Sequence, residues 1–135
     1  MRDILEIKDN FSIYKGIKSS LLWGNPSYCK KPKVSIIMPV FNHPDYFRKS
    51  LSSAINQDYT DDYEIIVVDN NDQTDGPTSN QVIVEEFRNP KVLYYKNEKN
   101  IGMFGNWNRG IELARAPFVT YCMMMICCYR VHYLD

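Results

Sequence analysis

Glycine is missing where a phosphate-binding chain would need it. The turn after the first predicted strand reads Pro39-Val40-Phe41-Asn42-His43-Pro44. A dinucleotide fold would place Gly-x-Gly-x-x-Gly there, so that backbone could approach a pyrophosphate at a helix amino terminus, and no P-loop pattern occurs either. Net charge is missing too: 16 basic residues balance 16 acidic ones, which leaves no electrostatic footprint for nucleic acid or an anionic bilayer. No run approaches the about 20 apolar residues of a membrane span. Met1-Arg2-Asp3-Ile4-Leu5-Glu6 carries charge where a secretory signal would have its apolar core. A cytoplasmic chain without a transmembrane segment or a nucleic-acid partner is expected. The cysteines (Cys29, Cys122, Cys127, Cys128) form no Cys-x-x-Cys pair and the two histidines lie far apart, so the sequence offers no zinc site.

What is present suits one α/β core: 135 residues, 44% of them hydrophobic. The chain divides near Pro32. Residues 1–33 form a leader with a ragged apolar pattern, read as a helix packing on the domain, and Lys30-Lys31-Pro32-Lys33 links it to the rest. From Val34 short β-branched runs alternate with helical stretches, as in a parallel sheet. Val34–Met38, Glu64–Val68, Val92–Tyr95 and Phe118–Cys122 read as strands. Pro44 and Asp45 suit the first turn of a helix whose stripe is Phe47, Leu51, Ala54 and Ile55. Val82, Ile83 and Phe87 mark a second helix ending at Asn89-Pro90. A third opens at Asn100-Ile101-Gly102, with Met103, Trp107, Ile111 and Ala114 as its expected buried face.

Right-handed crossovers between these elements build an open, mostly parallel sheet with helices on both faces, and ligands bind such sheets beyond the carboxyl ends of the strands. Polar residues gather there: Asn42 and His43 after the first strand, Asp69 to Asp72 after the second, Asn97 to Asn100 after the third. Phe41 offers an aromatic face to a base, and Asp69 an acceptor for a ring N–H or a ribose hydroxyl. Plainer roles compete: Asp69 can cap the following turn, Phe41 can fill the core, Asn42 can cap the first helix. Trp107 reads as core and His43 as a loop residue.

Val34-Ser35-Ile36-Ile37-Met38-Pro39-Val40-Phe41-Asn42, Ser53-Ala54-Ile55-Asn56-Gln57-Asp58-Tyr59 and Glu64-Ile65-Ile66-Val67-Val68-Asp69-Asn70 follow one another in order. Asn100-Ile101-Gly102, Asn108-Arg109-Gly110-Ile111 and Ala116-Pro117-Phe118-Val119-Thr120-Tyr121 complete the series. Together they resemble the opening of family-2 glycosyltransferases, which have the GT-A fold, a Rossmann-like nucleotide-binding half. The resemblance implies transfer of a sugar from a nucleotide-sugar donor, commonly a UDP-sugar, to a hydroxyl of a glycan or lipid acceptor with inversion. It implies nucleotide-binding roles for Pro39, Phe41, Asn42 and Asp69, and more loosely for Asn71, Asn100 and Gly102. It also implies Mg²⁺ or Mn²⁺ in the intact enzyme, held by an acidic cluster past the fourth strand.

There the sequence departs from the family. It continues Met123-Met124-Met125-Ile126-Cys127-Cys128-Tyr129, and thioethers and thiols suit neither ion. Residues 34–122 are thus expected to be the nucleotide-sugar-binding half of an incomplete GT-A domain. Residues 123–135 are expected to be an aberrant tail without catalytic or metal-binding residues. Codon by codon, the chain from Cys122 to Tyr129 is encoded TGY ATG ATG ATG ATH TGY TGY TAY. Read from the last base of the Cys122 codon, it gives His or Tyr, then three aspartates, then Met or Leu and two leucines, whatever the synonymous choices. That shifted frame holds the missing acidic cluster. Two classes of function follow: a glycosyltransferase made inactive by truncation, or a non-catalytic nucleotide-binding α/β module.

Overall fold

A computed structural model describes residue 12 and residues 14–123, and among these described residues five strands and three helices have defined bounds. Most of the leader's first 13 residues, and the tail from residue 124, lie outside the described residues. The strands are β1 (Ser19–Trp23), β2 (Val34–Val40), β3 (Tyr63–Asp69), β4 (Val92–Asn97) and β5 (Phe118–Tyr121); the helices are α1 (Pro44–Ile55), α2 (Ser79–Phe87) and α3 (Gly102–Leu113). They form one sheet of order β1-β4-β3-β2-β5. β2 pairs in parallel with β3 and β5, and β3 with β4, while β1 is antiparallel to β4.

Alternation along the strands sends side chains to two different covers. Ile36, Met38 and Val40 of β2, Ile65 and Val67 of β3, and Val92 and Tyr94 of β4 meet Phe47, Leu51 and Ala54 of α1 and Ile83 and Val84 of α2 in one buried cluster. The opposite face carries α3, which crosses β2 and β3. Helices therefore cover both faces, as the sequence pattern predicts. β3 is buried along its whole length, which explains its unbroken apolar run.

Two expectations need correction. The leader contributes a strand: Ser19–Trp23 joins the sheet edge, with a register shift between Leu21 and Trp23. Its hydrogen-bonding partner lies far along the chain, so local periodicity carried no sign of it. The expected face of α3 is also wrong. Met103 is 59% exposed and Ile111 48%, and the face against the sheet is Gly105, Asn106, Arg109 and Gly110. A Cβ on Gly110 would fall 2.2 Å from Ile37 Cγ2. Glycine here lets helix and strand approach more closely than any side chain would allow.

An ion pair holds the β1–β2 connection onto this framework. Glu64, buried in β3, accepts from Ser35 Oγ at 2.6 Å and from Arg115 Nε at 2.8 Å. The same guanidinium donates to the carbonyls of Pro26 and Cys29.

Candidate nucleotide-binding site

A cleft of about 420 Å³ opens where β2 and β3 end. Its first wall is the β2–α1 turn: Pro39, Val40, Phe41, Asn42 and His43. The second is the start of α3, with Met103, Asn106 and Trp107, and Asn70, Asn100 and Met123 complete the lining. Apolar walls with a few convergent amides suit a small planar ligand.

Of the residues singled out from the sequence, Pro39, Phe41, Asn42 and Asn100 line this cleft. Phe41 is 40% exposed, so its ring is available to a ligand. Asn42 does not cap α1: the cap position is His43, in a left-handed conformation with no side-chain cap bond. The His43 ring rests at a tilt on Tyr46, 5.8 Å between centroids.

Asp69 ends β3, as expected, but lies below the cleft with its side chain turned inward. It is 0% exposed. One oxygen accepts from Asn71 N–H at 2.9 Å. The other accepts from the Thr78 and Tyr94 hydroxyls, each at 2.7 Å, and from Asn80 Nδ2 at 3.4 Å. Burial raises the Asp69 pKa, opposed by the hydrogen bonds from Tyr94, Asn71, Thr78 and Asn80. Burial, and then the facing Asp69 charge, push the Tyr94 phenol well above its ordinary range. Asp69 reaches the cleft through one residue: Asn80 also donates to the Phe41 carbonyl at 3.1 Å. Asn71 and Gly102 are not lining residues. Asn71 Oδ1 accepts from Gln73 N–H. Gly102, at φ +79°, sits at the α3 amino terminus.

Sequence reasoning put Asn70 on the polar edge without a role of its own, and it missed Asn106 and Trp107 as site residues. Trp107 is half-buried, packs edge-on to Phe104 at 5.5 Å and leans on Tyr121, so it is a cleft wall and not core. The available signal was the pair of glycines at 105 and 110, which marks the intervening small-and-polar face of α3 as the docking side.

Among the described residues no group of three or more His, Cys, Asp or Glu side chains could hold a metal ion. The cleft lining is amide, thioether, imidazole and aromatic, a donor set without the carboxylates that Mg²⁺ or Mn²⁺ prefers. No helix among the described residues is long and apolar enough to cross a membrane.

Residues 35–122 match the family model described as glycosyl transferase family 2. The chain is 37% identical over 90 residues to the GalNAc(5)-diNAcBac-PP-undecaprenol beta-1,3-glucosyltransferase of Campylobacter jejuni, covering 67% of this chain and 28% of that protein. It is 31% identical over 91 residues to the poly(ribitol-phosphate) beta-N-acetylglucosaminyltransferase TarP of Staphylococcus aureus, covering 66% and 27%. Among solved structures it resembles S. aureus TarS 1-349 in complex with UDP-GlcNAc, with TM-score 0.58, 26% identity and 69% and 26% of the two chains covered. A Pyrobaculum calidifontis mannosyltransferase in complex with GDP-Man and Mn²⁺ shares the fold, at TM-score 0.60, 23% identity and coverage of 78% and 30%. The chain thus spans less than a third of the length of each of these proteins. Fold, cleft and relatives agree, and the chain belongs to glycosyl transferase family 2.

Proposed function

We propose that the cleft binds the nucleoside of a UDP-sugar, the donor of an inverting transfer to a hydroxyl on a glycan or lipid acceptor. The observation that carries this reading is the cleft itself: an aromatic residue on each wall, Phe41 and Trp107, with amides between them at the carboxyl ends of the central strands. A base between two aromatic walls gains stacking, and amides read its edge. TarS, bound to UDP-GlcNAc, supports a uridine donor. Asp69 acts here by holding Asn80, and through it the Phe41 carbonyl, in place. The work belongs in the cytoplasm, at the membrane periphery for the intact enzyme.

For this polypeptide we favour binding without transfer, because among the described residues the lining carries no carboxylate for the expected Mg²⁺ or Mn²⁺. We attribute that to one base lost after the Cys122 codon, which turns Cys-His-Asp-Asp-Asp-Met-Leu-Leu into the sequence present. The family match ends at residue 122, where the shift would begin. Resequencing this locus tests the lesion, and a gene with no acidic cluster in the shifted frame refutes it. A transfer assay with Mn²⁺ and a UDP-sugar panel tests the consequence: restoring one base should create activity absent from the 135-residue chain. For binding, UDP should shift the NMR signals of Phe41 and Trp107 with a Kd near 1 mM, about 4 kcal/mol. Saturating UDP without shifts at either ring would defeat the assignment.

A further inference from the structure

Under the cleft runs a chain of side-chain hydrogen bonds whose direction is fixed at every link. It begins at Arg109, buried in α3, whose guanidinium can only donate. Arg109 Nη1 donates to Ser19 Oγ in β1, so the serine hydroxyl must spend its own proton elsewhere, and it donates to Asn97 Oδ1 at 2.6 Å. Asn97 is 0% exposed. With its oxygen used, Nδ2 donates to Asn70 Oδ1 at 3.0 Å and to Asn106 Oδ1 at 2.9 Å. Backbone groups, which cannot reverse, agree with both assignments: Ile101 N–H donates to Asn70 Oδ1, and Asn106 Nδ2 donates to the Val68 carbonyl. Asn70 Nδ2 then donates to the Gly102 carbonyl and to Asn100 Oδ1, which also accepts from Gly102 N–H at 2.9 Å.

The last link is exposed. Asn100 Oδ1 is occupied twice, while its Nδ2 makes no hydrogen bond among the described residues, and Asn100 is one of the residues that line the cleft. We propose that this relay makes Asn100 a fixed hydrogen-bond donor in the cleft, a specificity-determining contact for an acceptor oxygen of the nucleotide, with Ser19, Asn97 and Arg109 as positioning residues. The proposal rests on the nucleotide-binding reading for its ligand, and on geometry alone for its polarity. It also makes β1, which precedes residues 35–122 of the family match, part of the site. Two oxygens share the required chemistry: a carbonyl of uracil and an oxygen of the diphosphate.

Polarity is tested first, in the free 135-residue chain, by hydrogen exchange of the ¹⁵N-labelled side-chain amides. Protected Asn70, Asn97 and Asn106 amides beside a freely exchanging Asn100 amide are expected. A protected Asn100 amide with a freely exchanging Asn70 amide reverses the relay and overturns the proposal, even if UDP binds. Binding is tested by titrating UDP, uridine and pyrophosphate into wild type and Asn100→Asp. That variant keeps the oxygen used by Asn70 and Gly102 and replaces the free donor with an acceptor. About tenfold weaker UDP binding at unchanged melting temperature is expected. Weaker uridine binding assigns the contact to the base. Weaker pyrophosphate binding with uridine unchanged assigns it to the diphosphate. Unchanged affinity for all three probes overturns the contact. Failure of wild type to bind any of them removes the contact and the nucleotide-binding reading together, whatever the exchange result. Ser19→Ala should loosen Asn97 protection and weaken UDP binding, and Ser19→Thr should restore both; equal behaviour of Ala and Thr would remove Ser19 from the relay.

Discussion

Replacing Gly110 by alanine should lift α3 off the sheet. The added methyl would lie 2.2 Å from Ile37 Cγ2, whereas carbon atoms rest about 3.5–4.0 Å apart. Helix or strand must therefore yield by roughly 1.5 Å, and Ile37 cannot, because it is fully buried in β2. Overpacking of this kind costs about 1–3 kcal/mol, and this contact belongs at the upper end. Alanine's better helix propensity returns about 1 kcal/mol, leaving a net loss of about 2 kcal/mol. Gly105 on the same face provides the control: its Cβ would meet Tyr14 and Ile101 at 3.2–3.3 Å, so Gly105→Ala should fall within about 1 kcal/mol of wild type. Urea denaturation at constant m-value measures both. Because α3 also carries Asn106 and Trp107, Gly110→Ala should weaken UDP binding in parallel. A Gly110→Ala protein as stable as wild type, or less affected than Gly105→Ala, would refute the close-approach argument.

Arg115→Ala should cost about 3–5 kcal/mol in the same assay, since it leaves Glu64 charged and buried without its partner; a loss below about 1 kcal/mol would mean that the pair contributes only as a surface bridge. Tyr94→Phe removes a donor to Asp69 and should cost about 1–2 kcal/mol, read as a lower melting temperature. Asp69 has a raised folded pKa, so its contribution is fully present below the ordinary carboxylate pKa and is lost as pH rises through the raised value. The stability of wild type relative to Asp69→Asn should therefore be greater at low pH than at neutrality, and an opposite slope would refute the burial argument. Trp107→Ala should weaken UDP binding about tenfold with little change in fold by circular dichroism, and undiminished affinity would remove this ring from the site.

Much of this architecture was legible because β2, β3 and β4 are short, β-branched and bounded by turn residues, and α1 carries a regular stripe. The cleft opens at the strand ends where the sequence gathers its polar residues. Two features overrode the periodicity. Ser19–Trp23 forms a strand only because β4 offers an open edge, and no local pattern encodes a distant edge. On α3 the apolar stripe at Met103 and Ile111 faces outward, because the sheet beneath it is crossed near its carboxyl end, where backbone carbonyls of Val40 and Val68 want the amide of Asn106. Asp69 stands at the end of β3, where the sequence puts it, but nothing in the sequence pointed to its partners. Its hydroxyl partners, Thr78 and Tyr94, come from α2 and β4, and only their convergence shows that the carboxylate is already satisfied.

The pairing of β1 with β4 also sets an order of assembly. Ser19 and Asn97 meet across 78 residues, whereas β2 and β3 are joined by a single helix and its links. Closing the longer loop carries the larger entropic cost, so β2, β3 and β4 can associate while β1 still waits. On a ribosome, β1 emerges before β2, β3 and β4 yet is secured only after β4 has followed it. Until it docks, the edge of β4 stays open to any other extended chain.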